Sequence, residues 1–170
     1  MHDTLDYFRT APEYRIRDYH RLTFSMMYYY GESYILPLSH DESVHGKATV
    51  LGKMNGEYEA KFPQARAMYM YMYMHPGAKL NFMGGELGML REWSEDREMD
   101  WDILHYPLHD SFALYMRRLS HIYLDSPALY ELDRDPSGFR WLECHGEESC
   151  VYVIERRALS GDRIVAAFNF

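Results

Sequence analysis

Apolar segments along this chain alternate between helix-like and strand-like stretches over its first three quarters and become short β-prone runs over the last. Residues 22–30 form a compact apolar and aromatic segment closed by Gly31, which predicts a short buried helix. Residues 34–38 read as a strand, with Pro37 tolerable only near its end because proline has no N–H to give a ladder. Glycine and asparagine punctuate residues 46–56 as a loop, and Pro63 stands where the first turn of a helix tolerates a missing N–H. The run Tyr69-Met-Tyr-Met-Tyr-Met74 alternates like a strand, yet both residue types are apolar, so the alternation carries no signal of inside and outside. Its length and the stop at His75-Pro-Gly77 predict a helix over 62–74. Residues 79–83 predict the next strand, and Gly84-Gly85 lets the backbone turn sharply before Glu86. Asp110 and Ser111 are candidate caps for a further helix, with Phe112, Tyr115, Leu119, Ile122 and Tyr123 at three- and four-residue spacing.

From about Asp133 the texture changes. Runs at 138–142, 150–154 and 164–168, separated by turn residues, predict three strands and the beginning of an all-β unit. The expected organisation is therefore an α/β region over 1–132 with a strand, helix, strand rhythm, followed by a β region over 133–170. No internal repeat or low-complexity segment interrupts it.

Composition narrows the partners. Hydrophobic residues make up 47% of the 170 and aromatic residues 16%, enough for a sizeable core. Acidic residues outnumber basic ones by 26 to 18, a net charge of -8, which argues against a phosphate-tracking surface and hence against nucleic acid. A neutral polysaccharide is indifferent to that charge. Sixteen tyrosines and three tryptophans supply flat amphipathic rings, which fill cores and also stack on sugar faces. Cys144 and Cys150 are the only cysteines, too few to staple a fold of this size, so a reduced, cytoplasmic location is expected. No apolar run approaches the roughly 20 residues that span a bilayer, so no membrane partner is expected.

The chemistry concentrates in Ile35-Leu-Pro-Leu-Ser-His-Asp-Glu42, where an apolar strand stops abruptly at a histidine and two carboxylates. Barrel enzymes place catalytic groups this way, at the C-terminal ends of their strands. His40 and His45 superficially suggest a zinc motif. The spacing rejects it, because the two histidines are five apart and Glu42 is displaced from the position between ligands four apart on one helical face.

Val44-His-Gly-Lys47, Asn81-Phe-Met-Gly-Gly-Glu-Leu-Gly88 and Arg91-Glu-Trp93 follow in order, and with them the chain resembles a 1,4-alpha-glucan branching enzyme of the alpha-amylase clan, from Met1-His-Asp-Thr-Leu-Asp-Tyr7 to its end. The resemblance implies the last part of a (β/α)8 TIM barrel over 1–132 and the start of an all-β C-terminal sandwich over 133–170. It implies cleavage of an α-1,4 bond and transfer of the segment to a sugar 6-hydroxyl in glycogen, by a retaining double displacement without metal or organic cofactor. Asp41 matches the family's transition-state-stabilising carboxylate. His40, Glu86, Arg91 and Trp93 are expected to contact glucan, with Glu42 and His45 standing behind them. Arg91 paired with a carboxylate and Trp93 packed in its loop is an equally good reading of those two residues. The family usually shows Gly-Asn-Glu where this chain has Gly84-Gly85-Glu86.

The family's nucleophile and general acid lie upstream of anything matching Met1, so the chain is expected to be a C-terminal piece, inactive without the missing N-terminal part of the barrel. The alternatives are a non-catalytic glucan-binding or assembly module, or a fragment of a hydrolytic relative in the same clan.

Overall fold

The computed structural model describes residues 1–170. Helix α1 (His2–Arg9) turns Leu5, Tyr7 and Phe8 into the interior. Tight turns and the one-turn helix α2 (His20–Thr23) lead to β1 (Ile35–Leu38), then α3 (Val50–Lys53), α4 (Tyr58–Met74) and β2 (Ala78–Asn81). The two strands pair in parallel, from Ile35 opposite Ala78 to Leu38 opposite Asn81. Helices α3 and α4 form the crossover that parallel pairing requires. Helix α5 (Pro107–Asp125) follows, and β3 (Phe139–Gly146), β4 (Val151–Arg157) and β5 (Arg163–Asn169) form a separate antiparallel sheet with β4 at its centre. No helix is long and apolar enough to cross a membrane.

Helix α4 explains why its own sequence has no readable face. Tyr69 and Tyr73, one turn apart, point at α5, where Tyr69 meets Phe112 at 6.0 Å between ring centroids and Tyr73 meets Tyr123 at 5.5 Å. Tyr71 points the other way, 5.8 Å from Phe168 of β5, and gives its hydroxyl proton to the Leu22 carbonyl. The helix is packed on both sides, so an all-apolar surface is what its position demands.

The sheet joins the same core. Tyr152 and Ile154 of β4 and Ala166 and Phe168 of β5 belong to one buried apolar cluster with Leu5, Tyr7, Tyr19 and the α4 side chains. Tyr152 stacks on Tyr19 at 4.2 Å with the rings 10° apart. Arg156, fully buried on β4, donates to the Met74 carbonyl at the end of α4, to the Gly138 carbonyl and to Asp133. Secondary structure changes at residue 133, whereas packing runs straight across it.

Several local expectations are corrected. The helix over 22–30 is broken into α2 and two 3-10 turns, Phe24–Met27 and Tyr29–Gly31, and Phe24, Met27 and Tyr28 are exposed. The Leu22 carbonyl, which a continuous helix would offer to residue 26, is engaged by Tyr71 instead. The 46–56 loop contains α3, whose Thr49 hydroxyl caps the Gly52 N–H at 3.0 Å. Helix α4 begins at Tyr58, so Pro63 lies inside it, where it deprives the exposed Glu59 carbonyl of its usual donor. Helix α5 begins on Pro107, whose fixed φ suits the first helical position, so Asp110 and Ser111 sit inside it rather than capping it. Ile122 on α5 is exposed. The second strand ends at Asn81, two residues short of 83.

His75, buried just past α4, sets an acid sensitivity. Its Nδ1 lies 2.8 Å from the Pro76 carbonyl and its Nε2 2.9 Å from the Ser25 hydroxyl. A neutral ring with its proton on Nδ1 donates to the first and accepts from the second. Burial pulls the imidazole down to about 3, against the partial counter-effect of the Pro76 hydrogen bond. The unfolded chain therefore binds this proton near pH 6.5 and the folded chain does not, so stability falls as pH drops from about 6.5 toward 3, by up to about 1.4 kcal/mol per pH unit. Urea unfolding of His75→Gln at pH 7 and pH 4.5 is expected to show a smaller acid loss than the unsubstituted chain. An equal loss in both refutes the assignment.

Candidate active-site cleft

The candidate groups gather at the C-terminal ends of the parallel strands. Beyond β1 the chain makes a 3-10 turn, His40–Glu42, and beyond β2 the Phe82 N–H continues the ladder to the Leu38 carbonyl at 2.8 Å. The rings of His40, Phe82 and Trp93 then meet edge to face, with centroids 5.9 Å apart for His40 and Phe82, 6.3 Å for His40 and Trp93 and 5.4 Å for Phe82 and Trp93. They wall a cleft of about 700 Å³ together with Val44, His45, Met83, Ser94, Glu95 and Asp96. Asp41, next to the lining residue His40 but not itself lining the cleft, is 69% exposed, its Oδ1 3.4 Å from His40 Nε2. Lys47 Nζ reaches the Asp41 carbonyl at 3.0 Å.

Glu42 turns away from the cleft. Its carboxylate lies 2.6 Å from His2 Nε2 and 3.4 Å from Lys53 Nζ. Burial pushes this carboxyl up, but the hydrogen bonds and charges of His2 and Lys53 outweigh it and hold Glu42 below the usual carboxylate range. The Lys53 ammonium is itself buried, which lowers it against the pull of Glu42, and it also donates to the Glu42 and Ala48 carbonyls. This pair fastens the floor behind the His40–Glu42 turn.

Of the other expected contacts, Trp93 and His45 line the cleft, whereas Arg91 is committed elsewhere. Its guanidinium pairs with Asp100 at 2.5 Å and donates to the Glu98 carbonyl at 2.9 Å, which is the carboxylate-pairing alternative. Arg91 and Trp93 also border a void of about 20 Å³ with Gly84 and Gly85. Glu86 is half-buried on the 3-10 turn Gly85–Leu87. Burial, and secondarily the charge of Glu86, raise the Tyr69 hydroxyl above its ordinary range. Gly85 admits no side chain without rearrangement, since a Cβ there would stand 2.5 Å from Asn81 Oδ1 and 2.8 Å from the Tyr69 hydroxyl.

Sequence reasoning passed over Glu92, whose carboxylate reaches back to accept from the Gly46 N–H at 2.8 Å and the Ala48 N–H at 2.7 Å. The Trp93 N–H meanwhile donates to the Ser43 carbonyl at 2.9 Å. The only sequence signal was Glu92's place between Arg91 and Trp93 in a motif already singled out.

The arrangement defines a parallel α/β pair with an exposed carboxylate, a histidine and a tryptophan above its strand ends, joined to a small antiparallel sheet. No protein-family model matches the chain. It is 44% identical over its full length to a 1,4-alpha-glucan branching enzyme of Thiobacillus denitrificans and covers 23% of that protein. It is 42% identical over its full length to one of Geobacillus stearothermophilus, covering 27%. With one of Aquifex aeolicus the identity is 44% over 97% of the chain, covering 26%. The chain spans about a quarter of the length of these relatives and corresponds to their C-terminal part. By sequence it is similar, along its whole length, to a segment of that size in 1,4-alpha-glucan branching enzymes.

Proposed function

We propose that these residues form the C-terminal quarter of a branching enzyme that cuts an α-1,4-glucan and transfers the released segment to a sugar 6-hydroxyl, making an α-1,6 branch. The similarity to enzymes of that name along the whole chain carries this reading. In it, residues 1–132 are the last part of a (β/α)8 barrel and 133–170 begin a C-terminal β-domain. The parallel pairing of β1 and β2 supports the barrel, as do the two unpaired strand edges and the exposed Ile35 and Leu80 that further strands would cover.

Within this reading Asp41 is the carboxylate that holds the distorted sugar and favours its oxocarbenium-like transition state. Its high exposure leaves it free to meet a sugar hydroxyl, and His40 beside it supplies a donor or acceptor to the same ring. The edge-to-face cluster of Phe82 and Trp93 keeps the His40 ring in place. Trp93 offers an apolar wall for a sugar face. Arg91 acts on glucan through the Asp100-bearing loop it fastens, and Glu86 from the turn after β2. Glu42 and His45 keep the turn and the cleft wall in shape. The partners are α-glucans such as glycogen or amylose and the preceding part of the barrel, in the cytoplasm.

By the family resemblance the nucleophile and the proton donor come from that preceding part, and since they act as one catalytic unit their loss leaves no partial activity behind. The purified chain is accordingly expected to leave the iodine spectrum of amylose unchanged over hours. A shift of that spectrum with new α-1,6 linkages would refute the assignment of nucleophile and acid to residues outside 1–170.

A further inference from the structure

The segment between Val44 and Ala48 has a backbone that its sequence does not favour. His45 at φ +58° and Gly46 at +76° are the central residues of a tight turn closed by the Lys47 N–H on the Val44 carbonyl at 3.2 Å. Ala48, at +63°, is left-handed again. Two of these three residues carry a Cβ, and left-handed geometry is unfavourable for both. Two hydrogen bonds to one carboxylate offset it. The Gly46 and Ala48 N–H groups converge on the two oxygens of one carboxylate, Glu92, at 2.8 and 2.7 Å. Backbone N–H groups wrapped round an anion in this way form a concave nest, here filled by the chain's own side chain. The two N–H bonds hold Glu92 below the usual carboxylate range, which keeps it charged and the bonds strong.

We propose that Glu92 is a positioning residue for the candidate site, a clamp that holds residues 44–48 in their left-handed path and thereby fixes one wall of the cleft. Val44 and His45 line that wall, and Lys47 carries the contact back to the Asp41 carbonyl. Trp93, the next residue, lines the same cleft and is tied to Ser43 by its own N–H. One short segment therefore carries both the clamp and a cleft-lining ring. The effect on glucan rests on the proposed function, whereas the clamp itself does not.

The test separates the two. Lys47 is exposed and precedes Ala48, so native-state trypsin cleavage after Lys47 in the full chain reports how often the loop leaves its clamped path. Glu92→Ala is expected to raise that cleavage rate about tenfold, and Glu92→Gln to raise it less, since the amide oxygen still accepts one bond. Ala48→Gly in the Glu92→Ala background is expected to return much of the protection, because glycine adopts positive φ without a Cβ penalty. Cleavage at other sites serves as the control for global unfolding. Unchanged cleavage after Lys47 in both Glu92 variants, or no recovery with Ala48→Gly, overturns the clamp. For the glucan arm, the Geobacillus enzyme with its matching segment exchanged for residues 1–170 is assayed on amylose. Glu92→Ala is expected to raise KM several-fold with a smaller change in kcat, and Ala48→Gly to bring KM back. A loosened loop with unmoved KM overturns the bearing of the clamp on the cleft. An exchanged enzyme that folds without branching activity overturns the functional reading, and the trypsin result still decides the clamp.

Discussion

Asp41→Asn is expected to lower kcat for branching by about a thousandfold in a branching enzyme that carries this segment, with unfolding midpoints unchanged. The substitution keeps the shape and removes the negative charge, so it isolates the electrostatic contribution to a transition state that builds positive charge at the anomeric carbon. Stability is spared because the side chain is 69% exposed on a turn and its only close polar neighbour is His40. The Lys47 contact goes to the Asp41 backbone carbonyl and survives the change. Steady-state kinetics on amylose, with new α-1,6 linkages counted by NMR, provide the measurement. A variant within a factor of about ten of the parent would move the essential carboxylate elsewhere.

Arg156→Met is expected to cost about 3–5 kcal/mol of stability, the largest loss foreseen for any single side chain here. The guanidinium is fully buried and ties three places together: the Met74 carbonyl at the end of α4, the Gly138 carbonyl where β3 begins, and Asp133 at 2.5 Å. Methionine fills much of the aliphatic volume but leaves two carbonyls and a carboxylate that is only 16% exposed without their donor. Asp133→Asn is expected to cost less, since the amide still accepts from Arg156. Urea unfolding of the full chain measures both. Because Arg156 links the sheet to the α4 end, its loss is also expected to release β3–β5 first, visible as earlier hydrogen exchange in β4 than in α4.

These expectations draw on features of unequal legibility in the sequence. The strands could be read because β1 and β2 are short apolar runs bounded by turn residues, and β3–β5 are β-branched and aromatic runs set off by glycine and acidic turns. Helix α4 could be read as a helix from its length, but not its start, because the chain enters it five residues before Pro63. The break at 24–31 was not legible, since it depends on Tyr71 engaging the Leu22 carbonyl from 49 residues away.

The site divides in the same way. His40 and Asp41 stand at the end of a strand, so their placement follows from local order. Arg91 and Glu92 are adjacent in the sequence and part ways in space, one to Asp100 and the other to the 46–48 backbone. Neither partner is marked by spacing. The left-handed residues His45 and Ala48 are likewise invisible to a sequence reading, which associates positive φ with glycine. What was least readable is the set of long-range polar contacts that shape the cleft.

The most direct test of the central claim is product analysis of the Geobacillus enzyme carrying residues 1–170 in place of its matching segment, incubated with amylose. New α-1,6 linkages are expected without accumulation of free sugars, together with their loss in the Asp41→Asn version. A folded exchanged enzyme that releases free sugars and makes no branches, or one whose branching survives Asp41→Asn, would contradict that claim.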